Sequence, residues 1–433
     1  MSKFIAQAVN NLAGELKVPG DKSISHRSIM LGSLAEGITE VSGFLQGEDA
    51  LSTLKAFKAM GVKIEREGDN VTIHGVGLHG LKQPRKPLDL GNSGTSMRLM
   101  SGILAAQKFD CELVGDVSLS KRPMGRVIDP LTEMGAVIES NEGKPPLKIK
   151  GGQTLTGIDY DLPVASAQVK SCLLLAGLYA QGKTCVTEPL PTRDHTERML
   201  KGLGYEVNVI DNKICLTGGG KLTATPIQVP SDISSAAFFM VAAAIAPQAD
   251  ITLLGVNINP TRTGVIDILQ LMGAKLTLSN EREIGGELLA DIRVQSSKLQ
   301  GIDIPEAFVP LAIDELPVVF IAAACAQGET ILTGAKELRV KESDRIQVMA
   351  DGLDILGIEN TVLEDGIKIQ GGSFSKPSAV IESHHDHRIS MSFAVASLRC
   401  DYPIEINGVD NVKTSFPNFV ELANSAGMSI KEI

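Results

Sequence analysis

The chain has 433 residues, 43% hydrophobic and 21% charged, with a formal net charge of −10. That length supplies two or more domains with cores of their own, and the acidic surplus excludes a general nucleic-acid binder. No membrane partner is expected, because the longest apolar runs, around 236–246 and 318–326, are too short to span a bilayer.

The first residues, M-S-K-F-I-A-Q-A-V-N, lack the basic-then-apolar pattern of a secretory signal. Six cysteines, at 111, 172, 185, 215, 325 and 400, form no C-x-x-C pair. Both features lead to the expectation of a cytoplasmic chain with reduced, mostly buried thiols. His384, His385 and His387 have no thiolate or second carboxylate–histidine set near them in sequence, so no metal is expected.

Pro19–Arg27 reads P-G-D-K-S-I-S-H-R. Proline and glycine break a leading strand, and a helix starting near Ser23 would put Lys22 and Ser23 at its positive end. Arg27 follows one turn later on the same side. Free N–H groups, a hydroxyl and two cations make an anion site, although a plain N-cap serine explains such a stretch taken alone.

A helix closing in Gly followed by an alternating strand then recurs six times. The glycines are 61, 135, 204, 273, 357 and 427. Each copy predicts an amphipathic helix with a left-handed glycine cap and a strand alternating inward and outward. Six such units are expected to make two similar α/β domains of three units each, 21–229 and 1–20 plus 230–433. Two strands joining them, near Gly20 and near Val229-Pro230-Ser231, would form a hinge with the ligand site between the halves.

Further polar clusters precede apolar helices. L-G-N-S-G-T-S-M-R at 90–98 is a glycine-rich turn whose Asn92 and Gly94 allow close approach to an anion. S-K-R-P-M-G-R at 120–126 fixes Arg122 in extended backbone before a proline. V-A-S-A-Q-V-K at 164–170 offers Ser166, Ala167 and Gln168 at a helix start. R-D-H-T-E at 193–197 places Arg193 beside acids. Asp314 precedes L-P-V-V-F-I-A-A-A; K-E-S-D-R at 341–345 holds Lys341, Glu342 and Arg345; Arg388 opens another apolar helix, and Lys413 lies in V-K-T-S-F-P. Capping or solvated surface accounts for most of these individually. Arg388 is the exception, since a cation at a helix start opposes the macrodipole unless an anion binds. Together they describe cations gathered against an acidic background, with Asp314 and Glu342 for acid–base work.

These ordered motifs resemble the enolpyruvylshikimate-phosphate synthase (3-phosphoshikimate 1-carboxyvinyltransferase) family over nearly the whole chain. The resemblance implies two domains of three βαβαββ units each, with helices inside and sheets outside. It implies transfer of the enolpyruvyl group of phosphoenolpyruvate to the 5-hydroxyl of shikimate 3-phosphate, a step of aromatic amino-acid biosynthesis, with no cofactor. Lys22, Ser23, Arg27, Ser166, Ala167, Gln168, Arg193, Asp314 and Lys341 would bind shikimate 3-phosphate. Lys22, Asn92, Gly94, Arg122, Gln168, Arg345, Arg388 and Lys413 would bind phosphoenolpyruvate. The catalytic residues would be Asp314 as proton acceptor, Glu342 as the acid for the methylene carbon, and Lys22.

Ala167 and Glu337, which replace serine and asparagine of the commoner bacterial branch, resemble the glyphosate-tolerant (class II) branch; Gly94 is not the alanine often found in tolerant members. A monomer is expected. Two other readings are a UDP-N-acetylglucosamine enolpyruvyl transferase, disfavoured by Ser23 and by the absence of cysteine in 120–126, and a non-catalytic anion-binding module, disfavoured by Asp314 and Glu342.

Overall fold

The computed structural model describes residues 2–433. The chain divides into two compact units: 20–229 with 284–287, and 1–19 with 230–283 and 288–433. Each has its own apolar core.

The unit 20–229 contains six helices: α1 (Lys22–Leu34), α2 (Glu48–Ala59), α3 (Gly94–Leu104), α4 (Gly125–Glu133), α5 (Ala167–Gly177) and α6 (His195–Gly202). Alternate helices differ in kind. α1, α3 and α5 are buried almost all round, as their small and apolar residues require. α2, α4 and α6 bury one face and expose the other. The other unit repeats the scheme. α7 (Ile233–Ile245), α10 (Leu316–Ala324) and α12 (His387–Ala396) are inner helices; α8 (Gly264–Leu271), α11 (Arg345–Ile355) and α13 (Phe419–Ser425) are outer ones, and α9 (Val309–Ala312) is a single turn.

All six outer helices end alike. At Gly61, Gly135, Gly204, Gly273, Gly357 and Gly427 the φ angle is positive, between 75° and 103°. The glycine N–H returns to the carbonyl three residues back, and the following N–H reaches the carbonyl five residues back, as in Gly61 to Lys58 and Val62 to Phe57. This double closure satisfies the orphan carbonyls of the last turn.

Six small sheets cover the helices, three per unit, and share one strand order, first-second-fourth-third. The first pair is parallel and the others antiparallel, as in Leu88–Asp89, Cys111–Val114, Lys144–Lys150 and Val137–Asn141. Remote chain completes some of them. Leu222–Thr223 supplies the first strand beside Ala35–Ser42, Asn11–Leu16 the first beside Gln248–Asn257, and Lys3–Gln7 the fourth beside Ile404–Asn407. In the fifth sheet the first strand is reduced to bridges at Gln300 and Asp303. The expected α/β repeat fold, with helices inside and sheets outside, is therefore what the chain adopts. No helix among the described residues is long and apolar enough to cross a membrane.

Two expectations need correction. Cys185 and Cys215 form a disulfide rather than two thiols. The register sets them directly opposite each other, and the Cys185 N–H points the other way, to Ile158, so theirs is a closely spaced, non-hydrogen-bonded pair. The first helix begins at Lys22 rather than Ser23, because Asp21 caps it by accepting the Ile24 N–H at 2.8 Å.

Candidate active site

In both units the singled-out residues gather at helix starts. In the unit 20–229, Lys22 occupies the first turn of α1 and its ammonium pairs with Asp49 in the first turn of α2. Arg27 is only 3% exposed. Its Nε donates to Thr196 Oγ1 (2.7 Å), one Nη to Ser171 Oγ (2.8 Å) and the other to the Ser23 carbonyl (3.0 Å). Burial lowers its pKa to about 10, while Glu197 and Asp21 support the charge and Arg193 opposes it. At neutral pH it is cationic, and two of its five N–H groups remain for a ligand.

The starts of α3 and α5 are tied together. Ser93 caps α3 and Ser166 caps α5. Gln168 donates to Thr95 Oγ1 (3.0 Å) and accepts from Arg98 (2.6 Å). Arg122 has extended backbone, as its place before a proline predicts, and donates to Asn92 Oδ1 at 2.6 Å. Asn92 in turn donates to Asp116 at 2.7 Å. Gly94 lies against these cations: a Cβ there would stand 2.9 Å from Arg98 Nη1 and 3.1 Å from Arg122 Nη1.

In the other unit Arg345 is the centre. Fully buried at the start of α11, it donates to Asp386 (2.8 Å), Glu342 (2.6 Å) and Asp314 (3.3 Å). Burial opposes its charge, yet Asp386, Glu342 and Asp314 together raise its pKa well above the ordinary value. For Asp386, burial works upward and Arg345 more than offsets it, holding the carboxyl below its usual range. Lys341 Nζ lies 3.4 Å from Asp314, and Arg388 donates to the Asp314 carbonyl at 2.6 Å. One guanidinium thus holds both carboxylates singled out for acid–base work.

Lys413 is not part of that cluster. Its side chain is 56% exposed and pairs with Glu432 at 3.2 Å.

Several residues that organise these helix starts were not assigned by sequence reasoning. Arg98, Lys170 and Thr196 stood inside quoted motifs but were assigned no role, and Asp386 lies between the noted His385 and His387; Asp49 and Ser171 carry no local signal, since the partners of these residues lie 18 to 169 residues away. Arg262 likewise joins the starts of α7 and α10 by reaching Ser234 (2.7 Å), Asp232 (3.4 Å) and Glu315 (3.5 Å).

Known proteins resemble the chain over its whole length. The family model for EPSP synthase (3-phosphoshikimate 1-carboxyvinyltransferase) matches residues 6–422. The chain is 79% identical over 430 residues to a 3-phosphoshikimate 1-carboxyvinyltransferase from Ruthia magnifica subsp. Calyptogena magnifica, covering 99% of each chain. It is 64% identical over 438 residues to the protein of that name from Hydrogenovibrio crunogenus, covering 100% of this chain and 98% of that one. Among solved structures, EPSP synthase from Acinetobacter baumannii superposes with a TM-score of 0.89 at 62% identity, covering 100% of both chains. The enolpyruvyl transferase NikO from Streptomyces tendae shares only the fold, with a TM-score of 0.80 at 15% identity, covering 100% of this chain and 99% of that one. By motif order, repeat architecture and full-length identity, the chain belongs to the EPSP synthase (3-phosphoshikimate 1-carboxyvinyltransferase) family.

Proposed function

We propose that this enzyme transfers the enolpyruvyl group of phosphoenolpyruvate to the 5-hydroxyl of shikimate 3-phosphate, with Glu342 and Asp314 moving the protons. Glu342 protonates the methylene carbon, and the 5-hydroxyl adds to the adjacent carbon while Asp314 or Lys22 takes its proton. The tetrahedral adduct then loses phosphate and a methyl proton, restoring the double bond. Lys22, Ser23, Arg27, Ser166, Ala167, Gln168, Arg193, Asp314 and Lys341 bind shikimate 3-phosphate. Lys22, Asn92, Gly94, Arg122, Gln168, Arg345 and Arg388 bind phosphoenolpyruvate, and Lys413 joins them only on leaving Glu432. Fixed cations of this kind stabilise phosphate and carboxylate charge without reorganising during the reaction.

The observation that carries the assignment is Arg345, which holds Asp314 and Glu342 together. A module that only bound anions would gain nothing from carboxylates beside its ligand. Phosphate release should require both substrates, and Glu342→Gln should bind both yet lose turnover by about 10²–10⁴-fold, the usual worth of a general acid. Full turnover in Glu342→Gln would overturn its role.

Membership of the glyphosate-tolerant branch is a finer reading, supported by Ala167 and Glu337, while Gly94 weighs against it by leaving room for the inhibitor. Inhibition at low micromolar glyphosate would sink it. A cytoplasmic monomer is the companion reading, to be checked by cell fractionation and sedimentation velocity.

A further inference from the structure

Lys170 stands in the motif that supplied Ser166 and Gln168, yet the reaction assigns it nothing. Its side chain is 1% exposed. The ammonium donates to Glu188 Oε2 (2.9 Å), Glu197 Oε1 (2.7 Å) and the Thr192 carbonyl (3.4 Å). Three donors therefore have three acceptors inside the protein, so Lys170 is not itself a substrate ligand.

Its partners bracket one segment. Glu188 follows the strand Lys183–Thr187, Thr192 directly precedes Arg193, and Glu197 lies in the first turn of α6. Thr192 also donates its hydroxyl to Glu188. Between that strand and α6 no regular structure holds the chain, and Pro189 and Pro191 remove two backbone donors. The neighbouring Ser171 and Thr196 hold Arg27, and Thr196 donates to Ser171 at 2.8 Å. Burial would depress the Lys170 ammonium, but Glu197 and Glu188 more than reverse this and keep it charged.

We propose that Lys170 is a positioning residue for shikimate 3-phosphate, fixing the Arg193 segment against the α5 start that carries Ser166 and Gln168. The proposal rests on the reading of Arg193, Ser166 and Gln168 as ligands of that substrate. Because its partners lie on the Arg193 segment, Lys170 acts more on the affinity for shikimate 3-phosphate than on that for phosphoenolpyruvate, which it reaches only through Gln168 and the tie between α5 and α3.

The test is steady-state kinetics of the full-length enzyme with each substrate varied, plus calorimetric titration of shikimate 3-phosphate. In Lys170→Met, KM for shikimate 3-phosphate should rise about 10- to 100-fold, the scale for ångström-level misplacement, with KM for phosphoenolpyruvate within about 3-fold. Because that variant leaves two buried acids unpaired, Lys170→Met/Glu188→Gln/Glu197→Gln, which removes the three charges together, carries the same expectation. Lys170→Arg should recover part of the affinity. Lowered thermal stability with both KM values unchanged, or both raised equally, would mean a merely structural role and overturn the proposal. Arg193→Ala is measured alongside. A raised KM there with unchanged KM in the Lys170 variants overturns only the proposal; an unchanged KM there overturns the reading of Arg193 on which it rests. If Lys170 works through Arg193, combining the two substitutions should cost little more than Arg193→Ala alone.

Discussion

The two units use the same succession of inner helix, outer helix and four-position sheet, but they furnish the helix starts differently. In the unit 20–229 the buried hydrogen bonds joining α1, α2 and α3 are neutral, apart from a separate ionic cluster of Lys170 with Glu188 and Glu197. His26 Nδ1 meets Thr53 Oγ1 at 2.7 Å and Ser96 Oγ at 3.3 Å, and Ser93 and Ser96 bond at 2.7 Å. In the other unit the centre is ionic, with Arg345 bound by three carboxylates and Arg262 reaching two. Hydroxyls and amides fix a helix start without bringing net charge into the core, whereas proton transfer needs carboxylates held in place. The scaffold decides where side chains stand; the side chains decide whether a helix start is neutral or ionic.

The sharpest way to break this comparison is to remove the ionic centre. Arg345→Gln leaves Asp386 buried without its cation and should cost about 3–5 kcal/mol, together with a turnover loss of about 10²–10³-fold. Denaturant unfolding and phosphate-release assays check both; unchanged stability would mean that the cluster is not the anchor of its unit.

The neutral network should respond to acid. Burial, then Lys22 and Arg27, hold the His26 pKa well below its ordinary 6.5. The unfolded chain then binds the proton first, so stability falls as pH drops below about 6.5 and is restored as pH rises. The slope from this one group is at most about 1.4 kcal/mol per pH unit. His26→Asn should flatten the dependence between pH 7 and 5, as measured by thermal melts; equal slopes in variant and parent would remove His26 from the account.

Gly94→Ala probes the cations beside the neutral network. The added methyl would displace Arg98 and Arg122, and KM for phosphoenolpyruvate should rise about 10-fold while that for shikimate 3-phosphate changes less. The smallest effect concerns what the units share. Gly204→Ala and Gly273→Ala meet no close neighbour, the nearest being the Lys298 carbonyl at 3.7 Å from the second. Each should cost only the left-handed backbone strain, about 1–2 kcal/mol. Unequal losses would show that the common cap does not behave alike in the two units.

Much of this was legible in the chain itself. The outer helices and their glycine caps follow from local pattern, because a helix end and the φ angle of its glycine are decided by neighbouring residues. The six sheets follow from the six repeats. Ser166 at its helix start and the extended backbone of Arg122 were equally local. Asp21 was missed as the first cap because Ser23 is also a good one, and only the Ile24 N–H distinguishes them. The disulfide was missed because it depends on strand register across 30 residues.

By itself, then, the sequence determined the repeat, the helix ends and the residue types that stand there, since propensity, capping and hydrophobic period act over a few residues. The tertiary structure alone decided which remote strand closes each sheet and which side chains meet. It brought Arg345 to Asp386, Lys170 to Glu188 and Arg27 to Thr196. Those pairings are made when buried charges and hydroxyls, cut off from water, must find partners wherever packing has brought them.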